Sequence, residues 1–182
     1  ATVTLPDGAR VRLFAELPDR ARVQSSEHRL LLRDGDVHRL DATPPTSDEA
    51  AFARRLVRLV DAAAFGPLHR ATGCEPAADG GYDVATDGEG PPWRLELRPG
   101  TLLPRSLARG GDAVRFDDYL RTSTTWVVRR ATLAGLGTCE LQFDDGGVGG
   151  REDSFDPPPR SDAGARDGPR TRTPLAGAGV EC

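Results

Sequence analysis

The amino-acid sequence reads as an α+β, mainly β domain: many antiparallel strands and one long amphipathic helix. Strand-type alternation recurs in short blocks throughout the chain. Only one stretch has helical periodicity. Turn signals follow one another every ~8–12 residues, the spacing of a meander rather than of βαβ units.

Residues 1–42 are expected to be strands. Arg10 to Leu17 alternates, with Val11, Leu13, Ala15 and Leu17 on one face. Pro18-Asp19 interrupts it, and Arg20 to Gln24 begins a second strand. Glu27–Arg33 and Asp36–Leu40 flank Asp34-Gly35, a type I′ hairpin signal that pairs Arg33 with Asp36 and Leu31 with His38. A helix is expected over 46–65. Thr46 and Glu49 have capping-box spacing, Ser47-Asp48-Glu49 suits the positive end of the dipole, and Phe52, Leu56, Leu59, Val60 and Ala63 form one apolar stripe. Gly66-Pro67 stops it. Strands then resume over 81–145, as Gly81–Thr86, Pro92–Arg98, Leu102–Arg109, Asp112–Leu120, Thr124–Leu133 and Thr138–Asp144. The sequence implies a single domain over 1–159. Residues 160–182, poor in large apolar residues, are expected to be a disordered Pro/Gly/Arg-rich tail.

The 182-residue chain carries a formal net charge of −4 and contains no Lys, Asn, Ile or Met, so all 24 of its basic residues are Arg. Codons for the four missing types share A in the first position and A or T in the second, so a GC-rich gene accounts for the Arg excess. A net acidic chain with interleaved signs argues against a nucleic-acid partner. No apolar run approaches the ~20 residues of a membrane-spanning helix. The opening Ala1-Thr2-Val3-Thr4, without Met, is read as a start that has been cleaved or cut away.

No nucleophile elbow, phosphate loop or metalloprotease motif is present, so no catalytic residue, cofactor or metal is assigned and no enzyme is expected. The predicted register sends His28 and His38 to opposite faces, against a shared metal ion. Cys74 and Cys139 lack CxxC spacing; they form a disulfide if the chain is exported, or are two buried free thiols. Cys182 falls in the tail. Asp117-Asp118 and Asp144-Asp145 read as solvated carboxylates.

Short motifs in the second half resemble the LolA/LolB lipoprotein-carrier superfamily. They are Trp93 to Arg105, with its strand, turn and Leu-Pro-Arg; Ala113-Val114-Arg115-Phe116-Asp117-Asp118-Tyr119; Leu141-Gln142-Phe143; and Ser154-Phe155-Asp156-Pro157-Pro158. The match departs at Thr122 to Trp126, where the family has an Asp-Gly turn, and lacks the opening helix. The resemblance implies a curved half-barrel sheet covered by one long helix, enclosing an apolar cavity for acyl chains. A periplasmic or cell-envelope location and a lipid or acylated-lipoprotein partner follow from it. The expected cavity lining is Leu13, Leu30, Leu32, Phe52, Leu56, Val60, Leu95, Leu97, Val114, Phe116, Trp126, Val128, Leu141 and Phe143. An interaction or sensor module, docking an envelope protein without transport, is the alternative.

Overall fold

Fourteen elements occur in the computed structural model, which describes residues 1–16, 20–41, 43–87 and 90–144. Five strands come first: β1 (Thr2–Thr4), β2 (Arg10–Glu16), β3 (Arg20–Gln24), β4 (Arg29–Arg33) and β5 (Asp36–Arg39). Helices α1 (Ser47–Ala63) and α2 (Gly66–His69) follow. Then come β6 (Ala71–Pro76), β7 (Tyr82–Thr86), β8 (Trp93–Leu97), β9 (Pro104–Arg109), β10 (Asp112–Arg121), β11 (Trp126–Leu133) and β12 (Gly137–Gln142).

All the strands form one sheet in the order β5-β4-β3-β2-β1-β12-β11-β10-β9-β8-β7-β6. Every pairing is antiparallel, and β1 joins the two runs by pairing with both β2 and β12. Because neighbouring strands alternate in direction, the β4–β5, β6–β7, β8–β9 and β10–β11 turns and the Glu16 end of β2 all lie at one end of the sheet. We call this the turn end.

Local chemistry explains the elements that position the rest. Asp34 and Gly35 both have positive φ (50° and 87°), as a type I′ turn requires, and Arg33 pairs with Asp36 and Leu31 with His38 as expected. The Thr46 side chain accepts from the Glu49 amide while the Glu49 carboxylate accepts from the Thr46 amide at 2.8 Å, so both halves of the capping box form.

The half-barrel covered by one long amphipathic helix is overturned. Strand makes up 51% of the structure, and α1 spans only 17 residues. Instead of lying over a hollow with one stripe inward, α1 touches β4 and β5 in one limb of the sheet and β10 and β11 in the other. Residues Leu59 to Ala63 are all buried, and five consecutive positions cover the full circumference of a helix. The sheet therefore bends round α1, which acts as an internal strut. Arg54 donates to the Gly35 carbonyl in the β4–β5 turn, and Arg58 reaches Asp112 and the Arg109 carbonyl at the β9–β10 turn.

Asp61 is the one charged residue on the buried part of α1. Its carboxylate accepts from both terminal nitrogens of Arg70, at 3.1 and 2.7 Å, in the two-pronged geometry that suits a guanidinium. Arg70 is brought there by α2, a turn of helix that begins at the Gly66-Pro67 stop of α1. Gly66 leaves room for this pair, since a Cβ there would crowd the Asp61 carboxylate and the Arg70 guanidinium. Strand β6 was likewise unanticipated. The expected tail and the Ser154–Pro158 motif lie outside the described residues.

Candidate functional site

Ten of the residues expected to line a cavity form the packed core. Leu13, Leu30, Leu32, Leu56, Val60, Leu95, Val114, Phe116, Val128 and Leu141 are all buried in one cluster around α1. A side chain lining a pouch wide enough for an alkyl chain would present surface to a water-sized sphere. Leu30, Leu56 and Val128 present none, and even Leu95 keeps only 8% of its surface free. Phe52, Leu97 and Phe143 are partly buried and pack on the margin of the same cluster. Trp126 stands apart from the other thirteen, 43% exposed.

That exposure is part of a larger pattern. The exposed large hydrophobic residues among the described ones are Phe14, Tyr82, Leu102, Leu120 and Trp126. The topology collects them. Tyr82 opens β7 at the β6–β7 turn, Leu102 lies in the β8–β9 turn, and Leu120 and Trp126 flank the β10–β11 turn. Phe14 lies two residues short of the end of β2. All five therefore sit at or next to the turn end. Leu102 is the most exposed, at 89%.

The sheet beneath these side chains is braced by aromatic and arginine contacts. Phe65, held in the left-handed region at φ 56°, meets the Phe116 ring edge-on at 5.9 Å and stacks on Tyr119 at 6.5 Å. A non-glycine residue with positive φ costs about 1 kcal/mol or more, which the enclosing aromatic contacts offset. Strand β9 opens with Pro104, which has no amide to give to β10. Arg98 takes over instead. Its Nη2 donates to the carbonyls of Phe116 and Asp117 at 2.7 and 2.9 Å, and its guanidinium lies 4.9 Å from the Tyr119 ring centre. The Tyr119 hydroxyl donates to the Pro104 carbonyl, and burial pushes its pKa up to about 12, against the opposing pull of Arg98. The bases of the β8–β9 and β10–β11 turns are thus locked to each other, while Arg121 packs over the Trp126 ring at 5.9 Å.

Other candidate chemistry is dispersed. His28 lies 3.3 Å from Glu49 and beside the Phe52 ring on the helix side, whereas His38 pairs with Leu31 on the outer face. Cys74 is an exposed free thiol on the outermost strand β6, and Cys139 is a buried free thiol in β12. Six strand positions separate them in the sheet, far beyond the ~7 Å that a disulfide can bridge between Cα atoms. The possible Cys74–Cys139 bridge is therefore withdrawn. Asp117 accepts from the Thr132 hydroxyl at 2.6 Å, and Arg115 and Arg129 are exposed rather than buried beside it.

Alternation along β11 placed Trp126 on a core face, and what it could not register is that this residue lies past the last covering layer. Leu102 and Tyr82 carried no signal by themselves. Only the sheet order shows that their turns share an end. No family model matches the chain, and neither a curated protein nor a solved structure matches it, so no comparison identifies a lipoprotein-carrier relative.

Proposed function

We propose that this chain is a noncovalent binding module that docks an apolar surface against its turn end. The observation that carries this reading is that all five exposed large apolar side chains of the described residues lie toward one end of the sheet, with Leu102, Leu120 and Trp126 on its two adjacent turns. Exposed apolar groups cost solubility, and clusters of them mark interaction surfaces far more often than scattered ones do. The bracing of the two most apolar turns supports the same reading, because a rigid surface loses little conformational freedom on binding. Leu95 and Phe116, which the resemblance would give to an acyl pouch, are packed against core neighbours, and this favours the turn end as the contact surface.

Retention on a phenyl column tests the proposal. Leu102→Asp combined with Trp126→Asp should elute well before the wild type, with an unchanged circular dichroism spectrum because both sites are exposed. Unchanged retention would mean that the turn end is not the sticky surface.

A further inference from the structure

We infer that the partner surface is the headgroup zone of an anionic lipid bilayer, entered by the β8–β9 and β10–β11 turns. This rests on the turn-end reading above and adds the chemistry of the partner. The two turns are separated by two strand spacings, about 10 Å, with β9 and β10 between them. Over residues 98–105 and 119–126 the charged side chains are Arg98, Arg105 and Arg121, with no Asp or Glu. The chain as a whole has a net charge of −4, whereas the exposed charges at these two tips are Arg105 and Arg121; Arg98 is held against the Phe116 and Asp117 carbonyls, and Asp117 and Asp118 lie further along β10. Among the described residues no ion pair engages any of the three arginines.

Exposed apolar side chains stand beside them. Leu102 projects at the tip of one turn, and Leu120 and Trp126 flank the other. Leucine suits the acyl boundary and tryptophan the interface, where its ring is apolar and its N–H stays wet. Arginines beside them supply attraction to anionic headgroups. A protein partner fits less well. The two exposed arginines, Arg105 and Arg121, stand at separate turns without the fixed carboxylate-facing geometry that specific protein docking uses, whereas a fluid headgroup layer can arrange itself around them.

Two turns of this size bury only a few side chains, so the binding is reversible and salt-sensitive. Each arginine near an anionic surface contributes about a fivefold gain in partition.

The test is sedimentation of the full chain with vesicles of phosphatidylglycerol and phosphatidylcholine, against vesicles of phosphatidylcholine alone. Binding should appear with the anionic vesicles and weaken as salt rises. Arg105→Gln with Arg121→Gln should lower the partition by about twentyfold, and Leu102→Asp by about tenfold or more. On binding, tryptophan emission should shift to the blue, and Trp126→Phe should remove the shift, because Trp93 is already buried between Arg58 and Arg109. Equal partition into neutral and anionic vesicles, or anionic binding unaffected by these variants, would overturn the inference. Absence of vesicle binding would also overturn it. If the phenyl-column retention still depended on Leu102 and Trp126 in that case, the turn end would remain a docking surface, but for a protein.

Discussion

Removing Arg70 tests whether α1 is an internal strut. Asp61 sits in the last turn of α1 with its side chain 8% exposed, and Arg70, one-third exposed at 33%, is its partner in the salt bridge. Arg70→Met keeps most of the aliphatic stem and deletes the charge. A buried ion left by its partner costs ~3–5 kcal/mol; because water can enter where the guanidinium was, about 2–3 kcal/mol is expected here. The carboxylate also stands near the negative end of the α1 dipole, so nothing in the helix replaces the lost cation. With a urea m-value of ~2 kcal/mol/M for a chain of this size, the unfolding midpoint should fall by roughly 1–1.5 M without a change of slope. Asp61→Leu combined with Arg70→Met should recover much of that loss, since two apolar side chains leave no charge stranded. A shift under about 0.5 kcal/mol for the single variant, or a double variant weaker than the single, would refute the strut account.

Two further outcomes follow from the polar surroundings of α1 and from the thiols. Asp41 is held at a pKa of about 2, first by the Thr43 hydroxyl and then by the Arg39 guanidinium, and Glu49 is also lowered, chiefly by the Thr46 amide. Because these folded-state values are depressed, the stabilisation they report is complete above the ordinary carboxylate range. It is lost as pH falls from about 4 toward about 2. The Asp41 carboxyl carbon resonance should titrate near that lower value, and Thr43→Val should raise it; a midpoint near 3.8 in the wild type would contradict the geometry. In the native protein a thiol reagent should modify Cys74 within the mixing time of an ordinary assay. Cys139, buried and with its thiol pKa raised by that burial, should react only after unfolding; equal rates would show that β12 is not packed as described.

The sequence carried the parts of this architecture that depend on neighbours in the chain. The Asp34-Gly35 hairpin and the Thr46–Glu49 cap were legible because their geometry is set within four residues. Most strands were legible because one face of each meets the core. Strand β6 was not: every residue from Ala71 to Pro76 is exposed at the outer edge, so no alternation had reason to arise. The all-round burial of the last turns of α1 was masked by Asp61, whose charge reads as a solvent face until Arg70 is placed beside it. The candidate site was hidden for the opposite reason. Trp126 obeys the alternation of a core residue, and the significance of Leu102 depends on which turns emerge together, which only the strand order supplies.

Strand β1 is three residues long, yet it is the only seam between the two runs of the sheet. Its partner β12 is the last described strand, so the seam cannot form until nearly all of the described residues have been synthesised. Until then a nascent chain carries an unmated border along β1, with its amides and carbonyls open to any passing strand. Final closure is thereby assigned to a late, long-range event, and interruptions near the C-terminal strands should leave a sticky, half-zipped product rather than a slightly smaller version of the same protein.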